Sequence, residues 1–87
     1  MSLSERGADI AVQAYILIQT EVDKASTVAR TTAELEWVTH AEEVLGPYEV
    51  IVRVEVAESR LIKELVLPRI RAVDGITRTL TCEVVAP

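Results

Sequence analysis

The sequence predicts an α+β fold: one β-α-β-β-α-β domain whose four strands form an antiparallel sheet covered on one face by two helices. Three observations predict it. Residues 12–21, 49–56 and 76–85 alternate apolar and polar positions as strands do, and two intervening segments carry apolar residues at three- and four-residue spacing. The turn Leu45-Gly46-Pro47-Tyr48-Glu49 divides the chain into two similar halves, with Ile16 and Val52 36 positions apart and Val38 and Ile76 38 apart.

The totals bound what such a domain does. At 87 residues the chain supports one small core. That core must be built from Val, Ile, Leu and Ala, because aromatics are 3% of the residues and Phe is absent. A domain of this size buries roughly 60–65% of its unfolded surface, so a partner copy has a physical motive. The formal charge of −5, without a cluster of Lys and Arg, argues against direct nucleic-acid binding. No apolar run is long enough to span a membrane, and the lone Cys82 fits a reducing compartment, so a cytoplasmic location is expected.

Residues 1–11 are polar, contain Gly7 and show no periodicity, which reads as a flexible arm ahead of a binding domain over 12–87. An expression remnant is one reading of Met1-Ser2-Leu3. In the first strand Val12, Ala14, Ile16 and Ile18 share the inward face, with Gln13, Tyr15, Leu17 and Gln19 opposite. Helix-starting chemistry follows at 23–26, then a narrow stripe of Ala25, Val28, Ala29, Thr32 and Leu35, with Thr27, Arg30, Thr31 and Glu34 toward water. Glu36-Trp37 ends this helix without Gly or Pro, and residues 38–45 read as a strand at an exposed position.

After the turn, where Gly46 tolerates a positive φ and Pro47 interrupts strand pairing, Val50, Val52, Val54 and Val56 point inward and Glu49, Ile51, Arg53 and Glu55 outward. Residues 58–72 form a helix with a broader apolar face, in which Pro68 removes the bond to the Glu64 carbonyl and predicts a bend. Asp74-Gly75 stops it, Gly75 suiting a left-handed cap. In the last strand Ile76, Leu80, Cys82 and Val84 are expected on the inward face and Thr77, Thr79 and Thr81 on the other.

Two interlocked, right-handed βαβ units give the ferredoxin-like sandwich, with both helices on one side of the sheet. The other side would carry Tyr15, Leu17, Ile51, Arg53, Thr77, Thr79 and Thr81, a mixed face suited to a second copy in a dimeric α+β barrel.

His40 beside Glu42 and Glu43 is the one grouping that invites a metal or acid–base reading. With no second His it reads as a solvated or interface strand, and no metal or cofactor is implied. Cys82, with no base nearby, reads as core filler, and Tyr15 and Trp37 as core or interface anchors. The three threonines, with Glu49 and Arg53 on the same face, would surround an enclosed space with hydroxyl, carboxylate and guanidinium groups, which suits a small zwitterion. Cross-strand Thr contacts explain the row equally well.

Two stretches carry a resemblance. Val38-Thr39-His40-Ala41 leading through Gly46-Pro47-Tyr48-Glu49, and Ala72-Val73-Asp74-Gly75-Ile76-Thr77-Arg78-Thr79, resemble the effector-binding (RAM) domain of the Lrp/AsnC regulators over about residues 12–85. The chain departs from the pattern with Glu49 where Asp is usual, Glu36-Trp37 in place of Pro-Gly, and Pro68. The dozen residues ahead of the first strand are too few for a helix-turn-helix, so a stand-alone effector domain is expected.

The resemblance implies a homodimer built through the sheets, an octamer of four dimers, and amino-acid effectors bound between dimers. By position its ligand-binding residues are Gly46, Tyr48 and Glu49 in the turn and Thr79, Leu80 and Thr81 in the last strand; strand parity adds Arg53. Parity also assigns Tyr15, Leu17, Ile51 and Thr77 to the dimer interface. A non-enzymatic regulatory module follows, sensing an amino acid directly or co-assembling with a full-length regulator. Two alternatives stand beside it: a small enzyme of the same barrel shape resembling cofactor-free monooxygenases, using His40 and Trp37, and an assembly protein with no ligand.

Overall fold

The computed structural model describes residues 11–85; the expected arm over 1–11 lies, apart from Ala11, outside the described residues, as do 86 and 87. The elements are β1 (Val12–Thr20), α1 (Ala25–Ala33), β2 (Val38–Glu43), β3 (Val50–Val56), a π-helical turn (Ile62–Val66) running directly into α2 (Leu67–Arg71), and β4 (Ile76–Glu83). The sheet order is β2-β3-β1-β4, with every pair antiparallel. This is the ferredoxin-like arrangement expected, and it leaves β2 and β4 as the edges.

The inward alternation of the two central strands makes the core. Ala14, Ile16 and Ile18 of β1 and Val50, Val52 and Val54 of β3 are fully buried under Val28, Ile62, Val66, Leu67 and Ile70 of the helices. Burying each large aliphatic side chain contributes about 1.5–3 kcal/mol, so these two strands dominate the stability of a small domain. Thr32 is the one polar side chain fully buried among the described residues, and its hydroxyl donates to the Val28 carbonyl at 2.8 Å. That bond removes the desolvation cost of placing a hydroxyl there.

Both helices solve a punctuation problem that the sequence poses. Asp23 takes φ 68°, turning the chain into α1 without a side-chain cap. At the far end no Gly is needed, because successive tight turns carry the chain into β2: Glu34 N–H donates to Thr31, Leu35 N–H to Thr32 and Val38 N–H to Leu35. Trp37 packs against the core just beyond them. Pro68 has no N–H for the Glu64 carbonyl, and its ring would crowd that oxygen in a regular helix. The chain widens there instead, with Leu67 N–H reaching the Ile62 carbonyl five residues back. A π-turn is how this helix accommodates its proline. The helix is capped at Ala72, not at Gly75 as expected; Gly75, at φ 96°, lies beyond it in the turn that leads into β4, where its carbonyl accepts the Glu21 N–H and a Cβ would lie 2.9 Å from Lys24 Cβ.

The expected parity of β4 is wrong beyond its first residue. Thr20 pairs with Ile76, but Gln19 pairs with Arg78, so Thr77 is an extra residue in β4. Such a bulge sets two residues against one and reverses the facing of everything after it. Thr79 and Thr81 therefore pair with Ile18 and Ile16 on the helix side, while Leu80 and Cys82 pair with Leu17 and Tyr15 on the open side. Arg71 Nε donates to Thr79 Oγ1 at 3.4 Å and Ser59 Oγ to Glu83 Oε1 at 2.8 Å, both from the helix side. Cys82 is exposed, not core filler, and Val84 is likewise exposed.

Candidate site at the turn and on the open sheet face

The turn between β2 and β3 is held down by side chains from the turn and from β1. Glu49 accepts the Thr20 backbone N–H on Oε1 at 2.9 Å, and its own N–H donates to the Ile18 carbonyl. From the open face of β1, Gln19 Nε2 donates to the Pro47 carbonyl at 3.1 Å. Since Gln19 also pairs with Arg78 across β1–β4, the turn and the bulged start of β4 meet at one corner of the sheet. Tyr48 and Glu49 are half-buried there and Leu45 is fully exposed. Gly46 has a φ of 159° and open space where a Cβ would project.

Of the residues predicted for the site, Gly46, Tyr48 and Glu49 stay together in the turn. Arg53 stands further along β3, on the open face. Thr79 and Thr81 do not join it, because the bulge turns them to the helix side; only Leu80 of that trio lies on the open face. The proposed wall of hydroxyls is therefore replaced by an apolar rung, Ile51-Leu17-Leu80, across β3, β1 and β4. Tyr15, Leu17 and Ile51 lie on the open face as expected, whereas Thr77 is the bulged residue.

Arg53 sits in a polar relay that crosses the open face. Its Nη2 donates to Gln13 Oε1 at 2.7 Å, and Gln13 Nε2 donates to Glu55 Oε2 at 3.2 Å. Its guanidinium lies 5.9 Å from the Tyr15 ring centroid, within reach of a cation–π attraction. Its Nε is shut off from water without an acceptor. Beside it, Tyr15, His40, Glu42, Ile51 and Arg53 line a hollow of about 200 Å³. His40 pairs with Arg53, and Glu42 with Ile51, because a second irregularity, at Thr39 in β2, brings His40 opposite Arg53.

Sequence reasoning gave Gln13 no role beyond the outward face of β1 and grouped His40 and Glu42 only with each other and Glu43; it is the pairing register that brings all three to Arg53. Among the described residues no three or more His, Cys, Asp or Glu side chains are placed to hold a metal ion. No helix among them is long and apolar enough to cross a membrane.

Solved structures share this architecture. A hypothetical protein, PHS023, from Pyrococcus horikoshii matches with a TM-score of 0.78 and 28% identity over 87% of this chain and 92% of its own. AsnC of E. coli matches at 0.82 with 19% identity, over all of this chain and 59% of that one. A transcriptional regulator, NMB0573, from Neisseria meningitidis, in complex with L-Met, matches at 0.77 with 15% identity, over 99% of this chain and 57% of that one. This chain thus spans somewhat more than half of each regulator. A search of curated proteins finds no match. The model of the Lrp/AsnC ligand binding domain matches residues 13–86, and the chain belongs to that family.

Proposed function

We propose that this chain is a regulatory module that binds a small amino acid or related metabolite where copies of it meet, and that the bound ligand shifts their assembly. The observation that carries the reading is the extent of the family match: residues 13–86 take in nearly everything that folds here, so the unit in hand is a ligand-binding domain. That the Neisseria regulator is a complex with L-Met supports an amino acid as the ligand class.

The open face supports pairing between copies. Leu17, Ile51 and Leu80 form an apolar rung, with Tyr15 and Leu80 41% and 43% exposed, on the side that the helices leave bare. A sheet-to-sheet homodimer buries it. The corner made by Gly46, Tyr48 and Glu49, with Arg78 and Leu80 nearby on β4, is then the contact between dimers, as in an octamer of four. A ligand shared by two dimers favours the assembled state by the difference between its affinities for the two states. Co-assembly with a full-length regulator uses the same surfaces.

Catalysis is the weaker reading, because Trp37 is committed to the core while His40 stands on the exposed edge strand. The test is sedimentation and thermal unfolding with each of the common amino acids. A ligand-dependent change in size or melting temperature is expected; silence across the panel sinks the proposal.

A further inference from the structure

Stacking a second copy on the open face leaves the two edges of the sheet bare, and these edges carry opposite charge. β2 bears Glu42 and Glu43, with no Lys or Arg between residues 31 and 52. Arg78 on β4 and Arg71 at the end of α2 flank the other edge. All four side chains are exposed, and none takes part in an ion pair among the described residues. Three strand spacings of about 4.8 Å hold the edges about 14 Å apart, beyond the screening length of about 8 Å at physiological salt. One copy therefore cannot neutralise its own edges.

A second copy can. The order β2-β3-β1-β4 has an even number of strands with every neighbour antiparallel, so β2 and β4 of one sheet run in opposite directions. A copy displaced sideways in the same orientation sets its β4 against β2 as the next antiparallel strand, with its helices on the same side. The alternation of bonded and non-bonded pairs continues across that junction. Glu43, Val50, Ile18 and Thr79 occupy one rung, and Glu42, Ile51, Leu17 and Leu80 the next. Carried onto the neighbouring copy, the first rung sets Glu43 opposite Thr79 on the helix side, where the Thr79 hydroxyl already accepts Arg71 Nε at 3.4 Å. The second rung sets Glu42 diagonal to Arg78, within reach of long side chains. Like edges do not pair this way: two β2 edges crowd glutamates together and two β4 edges crowd arginines.

We propose that copies of this chain join edge to edge, β2 of one against β4 of the next, through Glu43–Arg71 and Glu42–Arg78 ion pairs. The contact joins two different surfaces, so it propagates from copy to copy or closes into a ring. With a twist of about 20–25° per strand, the joined sheet winds through about 80–100° per copy. No ligand is needed, and the leading pair, Glu43 with Arg71, lies off the open face.

Sedimentation velocity of the whole chain tests this. The parent is expected to form species that grow with concentration. Glu43→Arg and Arg71→Glu should each weaken that growth about five- to tenfold, because an exposed attraction becomes a repulsion. Mixing the two variants, or combining both changes in one chain, should restore it; the combined variant keeps the parent's net charge of −5, which separates pairing from overall repulsion. Glu42→Arg with Arg78→Glu repeats the test on the other side of the sheet, should either first variant fail to fold by circular dichroism. Hydrogen exchange reads the place, with slowing expected at backbone amides of β2 and β4. A parent that does not grow, single variants that assemble like the parent, a combined variant that does not recover, or slowing confined to the turn around Tyr48 overturns the edge contact.

Discussion

The carboxylate of Glu49 and the backbone N–H of Thr20 are joined at 2.9 Å, so the acidic residue of the turn fastens the end of β1. This bond gives Glu49 a structural duty whatever it contributes to a ligand. Glu49→Ala should therefore cost about 1–2 kcal/mol of stability, by leaving a half-buried donor unpaired, whereas Glu49→Gln, which keeps an acceptor oxygen, should cost less. Urea unfolding of both variants checks the ordering. Equal stability of the Ala variant and the parent would show that the bond contributes nothing in solution.

Leu80 and Thr81 are neighbours with opposite surroundings. Leu80→Asp places a charge on the apolar rung with Leu17 and should reduce the proposed dimer to monomers. Thr81→Asp, on the helix side of the same strand, should leave it dimeric. Analytical ultracentrifugation separates the two outcomes, and a dimeric Leu80→Asp would contradict pairing through this face. Leu17→Asp should repeat the result from the central strand.

Cys82 offers a chemical reading of the same geometry. Its thiol is exposed in the single chain and faces Tyr15 on the open side. Labelling with a thiol reagent should be fast on a dilute, monomeric Leu80→Asp variant and slow on the parent at concentrations where it pairs. Fast labelling at every concentration would place the interface elsewhere.

Gly75 tolerates no side chain. At φ 96°, with Lys24 Cβ 2.9 Å from the position a Cβ would take, Gly75→Ala should cost at least about 2 kcal/mol. For a chain of this length that lowers the melting temperature by about 8 °C or more, read by calorimetry.

Ile16 tests the core. It is fully buried between the helices and the centre of the sheet, and Ile16→Ala should cost about 2–5 kcal/mol, a large share of the about 5–15 kcal/mol typical of such domains. Loss of the cooperative unfolding transition is the expected extreme.

Alternation was a faithful guide where strands are regular. The buried positions of β1 and β3 and the water-facing positions of α1 could be read residue by residue, because two-residue and 3.6-residue periods follow from backbone geometry alone. Pro68 announced a disturbance, though a proline does not say whether the helix will bend, break or widen. Thr77 announced nothing. A bulge depends on how β4 pairs with β1, and a threonine in a run of alternating threonines looks regular from within its own strand. The same limit hid the hollow: His40, Gln13 and Arg53 belong to three different strands, and only the register brings them together.

The bulge in β4 also bears on the make-up of the open face. With Thr77 set out of the ladder, the last strand offers Leu80 and Cys82 to the open face; were Thr77 instead to pair with Gln19, every later residue would move one rung along β1, Thr79 and Thr81 would face the open side and the apolar pair would turn toward the helices. Deleting Thr77, by contrast, would leave each of those later pairs as it is. A whole interface would thus change character by the seating of a single residue, without any amino-acid replacement.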